Sequence, residues 1–135
     1  MSASDSLPIW DQNPDNDPCL NSRILRFIDY HIGEDKTAEF LSIFGGQKVS
    51  IPDRGMSFAK SCFADDIERF GADFFEALAE EFGGSFMTLP VGKSYRARLL
   101  KRHGQTINQI ASALGVTYQG AEFLLRKSEK PAHVV

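Results

Sequence analysis

Residues 106–118, Thr-Ile-Asn-Gln-Ile-Ala-Ser-Ala-Leu-Gly-Val-Thr-Tyr, restrict the fold of this chain more than any other stretch. Ile107, Ile110, Ala111 and Leu114 recur at helical spacing and mark one buried face. Ala111 is small where two crossing helices must approach closely. Gly115 ends this helix, because the chain needs a positive φ there and glycine adopts it at no steric cost. Val116 packs under the turn, and Thr117 caps the next helix by accepting a backbone N–H. Ala121, Leu124 and Leu125 then return to the shared core. Two helices joined by such a turn are the sequence form of a helix-turn-helix, whose second helix lies in the DNA major groove. The competing reading is an ordinary helical hairpin.

Charge separates the two readings. Residues 91–135 hold eight Lys or Arg and two acids, whereas residues 1–90 hold seven Lys or Arg and sixteen acids. A net charge of −3 therefore hides a basic C-terminal segment behind an acidic N-terminal one, an asymmetry that points to a polyanion at one end. Arg96, Arg98, Lys101 and Arg102 precede the pattern; Arg126, Lys127 and Lys130 come after it. These cations bracket the second helix and can neutralise phosphates. A merely solvated charged surface would not explain why acids are so sparse here.

A length of 135 residues suits one compact domain or two small units sharing a core. Eleven phenylalanines indicate a substantial core or a dimer interface. Cys19 and Cys62 match no zinc spacing, and His31, His103 and His133 do not complete one. No metal and no cofactor are expected. Two cysteines without a framework fit free thiols in a reducing cytosol. With no apolar run long enough for a bilayer and no signal-peptide pattern, the expected location is cytoplasmic, away from membranes.

Met1–Pro18 is rich in Asp, Asn, Ser and Pro and reads as a flexible acidic arm. Leu7, Ile9 and Trp10 form an apolar exception, either docking a partner or, the favoured reading, folding back on the domain. Helices are predicted from Leu20 to His31, stopped by Gly33, and from Asp35 to Phe44, ended by Gly45. Two more are predicted at about Ser57–Phe70 and Asp73–Phe82. Gln47–Ile51 and Ser85–Leu89 read as short strands, each closed by a proline.

Those strands belong to an internal repeat. Phe44-Gly45-Gly46-Gln47-Lys48-Val49-Ser50-Ile51-Pro52 and Phe82-Gly83-Gly84-Ser85-Phe86-Met87-Thr88-Leu89-Pro90 share one plan: Phe, two glycines, a short strand, an apolar residue, Pro. The proline denies each strand further ladder bonding. Each strand needs a partner to satisfy its backbone groups. That partner is either the other copy in the same chain or the same strand in a second chain.

The second repeat, together with the C-terminal helical segment, resembles the Mor transcription activator family, middle-operon regulators of Mu-like phages also found in prophages and mobile elements. The resemblance rests on Phe82, Gly83, Gly84, Leu89, Pro90 and Gly92, then Ile107, Ile110, Ala111, Leu114, Gly115, Val116 and Thr117. It covers roughly residues 72–128. It implies a homodimer bringing two helix-turn-helix units to a dyad-symmetric promoter site in a bacterial host. It also implies a hinge at Gly83 and Gly84, a strand Ser85–Leu89, with Ser85 and Met87 on it, lying near the DNA, and contact with host RNA polymerase. The chain departs from the family where Thr88 and Ser50 stand in place of a tyrosine before the closing apolar-Pro pair. Its helix between Gly92 and Gly104 is also shorter, and the first repeat has no helix-turn-helix after it.

The expected fold is thus mainly α-helical with two short β-strands. A helical dimerisation region, residues 19–90, lies between the arm of residues 1–18 and a helix-turn-helix DNA-binding region, residues 91–130, with a tail at 131–135. On the second motif helix, Tyr118, Gln119 and Glu122 are predicted to face base edges. Gln119 can pair bidentately with adenine and Glu122 can accept from a cytosine amino group. Thr117, Arg126 and Lys127, with Arg96, Arg98, Lys101 and Arg102, are predicted phosphate contacts. Gly120 weakens a helix interior by roughly 1 kcal/mol relative to Ala; it either admits close backbone approach to DNA or marks a helix that orders on binding. Asp65, Asp66 and Glu68 with Arg69 could suggest catalysis, but no nucleophile–base pattern or phosphate-cradling loop accompanies them, and no enzyme or small-molecule substrate is expected. Two alternatives stand beside an activator binding double-stranded DNA: an auto-repressor, and an anti-activator acting through a protein partner on the same scaffold.

Overall fold

Helical periodicity broken at glycines, with two glycine-pair turns into strands, governs the chain's architecture. In a computed structural model, which describes residues 8–14, 16–53, 58 and 61–129, the protein is mainly helical with two antiparallel strands. The elements are α1 (Arg23–Phe44), β1 (Lys48–Ser50), α2 (Ile67–Phe70), α3 (Ala72–Phe82), β2 (Phe86–Thr88), α4 (Lys93–Arg102), α5 (Ile107–Leu114) and α6 (Tyr118–Ser128). Helix α1 is interrupted where the sequence predicts a stop, at Gly33, whose φ of 80° and ψ of 171° are not helical. The first residues of the expected arm (1–7), Lys130 and the expected tail (131–135) lie outside the described residues. So do residues 54–57, 59 and 60, of which 57, 59 and 60 belong to the stretch where a helix from about Ser57 to Phe70 is expected. The described part of that stretch is shorter: a 3-10 turn at Ala64–Asp66 runs into α2, which Gly71 ends.

The chain divides into two compact units, one of residues 39–91 and one of residues 1–38 with 92–135. Residues 19–38 therefore group with the three C-terminal helices and not with the strands.

The unit of residues 39–91 is built on the repeat. Strands β1 and β2 pair antiparallel within the chain, Lys48 opposite Thr88, Val49 opposite Met87 and Ser50 opposite Phe86. Of the two possible partners, each strand thus takes its own second copy. The bonds around the ribbon come in matching sets. Gly46 N–H donates to the Leu89 carbonyl at 2.8 Å and Gly84 N–H to that of Ile51 at 2.9 Å. Leu89 N–H donates to Gln47 and Ile51 N–H to Ser85, both at 2.9 Å. Gly46 and Gly84 both adopt φ 80°, the left-handed turn that carries helix into strand. Gly45 and Gly83 allow a close crossing: a Cβ on Gly45 would meet the Pro90 carbonyl at 3.1 Å, and one on Gly83 the Pro52 carbonyl at 3.0 Å. The two copies are related by an internal pseudo-dyad. Beneath the ribbon, Val49, Ile51 and Leu89 are buried. Phenylalanines join Leu41 and Leu78 in the rest of this core, with ring centroids 5.2 Å apart for Phe40 and Phe70, 5.0 Å for Phe44 and Phe63, and 5.4 Å for Phe63 and Phe75. Aromatic pairs of this kind each contribute about 0.5–1.5 kcal/mol beyond the area they bury.

The other unit has a small-residue core. Ala97 of α4, Ile110, Ala111 and Leu114 of α5 and Ala121 of α6 are buried together, with Leu100, Ile107, Val116, Leu124 and Leu125 packed around them. The three alanines let the helices approach closely. Within the described part of the arm, Trp10 and Asp11 contact α1. Trp10 stands edge-on to Phe27 at 5.0 Å, and Asp11 takes hydrogen bonds from Arg26 at 2.8 Å and Arg23 at 3.2 Å. Burial pushes the Asp11 carboxyl up, but the bonds from Arg26 and Arg23 outweigh it and hold its pKa below the ordinary value. Of the apolar cluster set apart from the expected flexible arm, Trp10 folds back onto α1, whereas Ile9 is exposed.

Candidate nucleic-acid interface

The α5–α6 pair is fixed by local chemistry at both helix starts and at the turn. Thr106 and Gln109 form a reciprocal cap, the Thr106 hydroxyl accepting from Gln109 N–H at 3.1 Å and the Gln109 side chain accepting from Thr106 N–H at 2.8 Å. Gly115 sits at φ 67° and ψ 36°, and Val116 N–H reaches back to the Ala111 carbonyl at 3.0 Å, closing the helix. Thr117 then caps α6 by accepting from Gly120 N–H at 3.0 Å. Gly120 is explained by that turn. A Cβ there would lie 3.2 Å from the Thr117 hydroxyl oxygen and 3.3 Å from Val116 Cβ, so a side chain would crowd the cap.

With Ala121 buried and Leu124 and Leu125 half-buried, the opposite side of α6 is left to solvent. Tyr118, Gln119, Arg126 and Lys127 are exposed on it and Glu122 is half-exposed, a placement that leaves all five able to meet a ligand. The same face carries a residue that the sequence pattern does not single out. Phe123 is 56% exposed, with the Lys127 ammonium 5.9 Å from its ring centre. The 100° step that turns Tyr118 and Gln119 outward also turns Phe123 outward. Its apolar identity, which suggests a core position, hides that signal.

The cations of α4 are placed differently. Arg98 grips Asp17 with two hydrogen bonds, 2.7 and 2.8 Å, and donates a third at 3.0 Å to the Ser128 carbonyl. Asp17 is only 5% exposed. The bond to Asp17 raises the Arg98 pKa against the opposing effect of burial. Arg98, expected at a DNA phosphate, is thus a structural cation tying the N-terminal segment to α4 and α6. Arg102 pairs with Glu34, and His103 lies 3.4 Å from Asp35. Tyr95 donates to Asp29, and its pKa is raised by burial and by that bond. The acids sparse in residues 91–135 come from residues 17–35 of the same unit, a supply the linear charge count does not reveal.

Lys101 is exposed, and Arg96 is half-buried with its pKa lowered by burial. Lys101, Arg98 and Arg102 line a cavity of about 440 Å3 with Leu125, Ser128 and Glu129. That cavity sits at the C-terminal end of α6, about 15 Å along the axis from Tyr118. Apart from Thr117, whose hydroxyl caps α6, the expected phosphate contacts therefore fall into two groups: Arg126 and Lys127 on the exposed face of α6, and the α4 cations, with Arg98 and Arg102 engaged by acids.

Gly83, Gly84, Ser85 and Met87 lie in the other unit. Gly83 and Gly84 make the tight crossing into β2, Ser85 accepts the ribbon bond from Ile51, and half-buried Met87 faces Val49. Phe86, which the sequence pattern does not single out either, is 74% exposed on the outer face of the ribbon. Of the carboxylates weighed for catalysis, Asp66 lies 3.8 Å from Arg69, which also reaches Glu39 at 3.5 Å. Among the described residues no group of three or more His, Cys, Asp or Glu is placed to hold a metal ion, and no helix is long and apolar enough to cross a membrane. No protein-family profile, curated protein or solved structure matches the chain.

Proposed function

We propose that this protein is a sequence-specific DNA-binding transcriptional regulator in which α5, the Gly115 turn and α6 act as a helix-turn-helix. One observation carries the reading. A doubly capped helix pair presents Tyr118, Gln119, Glu122, Arg126 and Lys127 on one open face of its second helix. In that role Tyr118, Gln119 and Glu122 meet base edges in the major groove, and Arg126 and Lys127 meet phosphates. Thr117 contributes by holding the start of α6. Activation through contact with host RNA polymerase, in a phage, prophage or mobile element, is what the resemblance to the Mor family adds to this proposal; auto-repression is its competitor within DNA binding.

The resemblance also implies two chains on a dyad site. The intrachain ribbon bears on this, because β1 already supplies the strand partner of β2. A homodimer would then use a surface other than the paired edges of β1 and β2.

A second reading, an inhibitor docking on a protein, draws support from the internal pairing of Arg98 and Arg102 and from exposed Phe86. Repeated selection from a pool of random duplexes decides between them. The DNA reading expects one enriched motif, bound in competition with bulk DNA and weakened by salt. Enrichment of no motif at low or moderate salt would shift the function to the protein partner.

A further inference from the structure

Resting on the proposed DNA-reading function, we infer that Phe123 reads the 5-methyl group of a thymine and so fixes an A·T pair at one position of the bound site. Tyr118, Gln119 and Phe123 are the first, second and sixth residues of α6, and all three are exposed. Gln119 and Phe123 are separated by about 6 Å along the helix axis, close to two base-pair steps of roughly 3.4 Å. Two groups spaced in this way on one face can address nearby base pairs.

Phenylalanine has no hydrogen-bonding group, so what it can recognise in the major groove is narrow. Of the four bases only thymine shows an apolar group there, its C5-methyl. The ring is 56% exposed while Ala121 on the same helix is fully buried, so Phe123 is not needed to close the core of this unit. Its neighbours choose the occupant. The Lys127 ammonium is 5.9 Å from the ring centre, and Arg126 and Gln119 share the face. An aromatic ring beside one cation, on a face that also carries a second cation, an amide and the single carboxylate of Glu122, complements a polyanion carrying base edges better than it complements an apolar protein surface.

The test uses the full chain and a site enriched from random duplexes, with each thymine replaced in turn by deoxyuridine, which differs by that methyl group alone. The expected result is a loss of about fourfold in affinity at one thymine, the worth of one buried methyl, and no change elsewhere. Phe123→Ala, a change at an exposed position, is expected to bind the thymine and uracil sites equally. Wild-type tolerance of uracil at every position would overturn the assignment while leaving the DNA-reading function standing. Retention of the thymine preference by Phe123→Ala would do the same. Failure to enrich any site would overturn both.

Discussion

Helices α4 and α6 both carry arginine and lysine and belong to the same unit, yet they place that charge differently. On α4, Arg98 is held by Asp17 and Arg102 by Glu34, and Lys101 faces a cavity at the far end of α6. On α6, Arg126 and Lys127 stand exposed beside Tyr118, Gln119 and Phe123. A local excess of cations therefore does not by itself mark a polyanion site. The deciding quantity is how much of that charge remains after acids distant in sequence have reached it.

The largest expected effect separates the two helices by stability. Arg98→Met takes the arginine away from the buried Asp17 carboxylate and is expected to destabilise the protein by about 3–5 kcal/mol in chemical denaturation. Arg126→Met, at an exposed position, is expected to stay within about 0.5 kcal/mol of wild type. Similar losses for both would end the distinction. On the binding side, Gln119→Ala is expected to relax base preference at one position at a cost of about 1–3 kcal/mol on the cognate site. Equal loss on cognate and scrambled DNA would take Gln119 out of base reading.

Thr117→Ala tests the scaffold between the two helices. Removing the α6 cap is expected to lower stability by about 1 kcal/mol, and thermal unfolding measures it. A loss smaller than that of the cap is expected for Arg102→Gln. Its pair with Glu34 is half-exposed, so the expected loss of stability is under about 1 kcal/mol. A loss as large as that for Arg98 would mean that the Glu34 contact is structural too.

Legibility in the sequence tracks range along the chain. The stops at Gly33 and Gly115, the cap at Thr117 and the turns after Phe44 and Phe82 depend on residues a few positions apart, and the structure has them where the pattern predicts. The Phe-Gly-Gly-strand-Pro repeat is legible as two strands needing partners, but their joining within one chain depends on a long loop closure that no local pattern encodes. The Arg98–Asp17 pair is hidden for the same reason, since its members are 81 residues apart. Local pattern also overstates one helix. Phe58, Phe63, Ile67 and Phe70 fit helical spacing, yet only Ile67–Phe70 is an α-helix among the described residues of that stretch, and the phenylalanines serve an aromatic core instead. At the candidate site, the outward set Tyr118, Gln119 and Glu122 comes from periodicity alone. Phe123 obeys the same periodicity and is masked by the habit of assigning apolar residues to the core.

Which helix neutralises phosphate is the point on which α4 and α6 divide, and the salt dependence of binding answers it. Affinity for one enriched duplex would be measured across salt concentrations for wild type, Arg126→Gln and Arg102→Gln. The expected slope of log affinity against log salt falls in magnitude by about 0.9 for Arg126→Gln, one released counterion site, and is unchanged for Arg102→Gln. A reduced slope for Arg102→Gln with none for Arg126→Gln would place the DNA against α4 and contradict the assignment of α6.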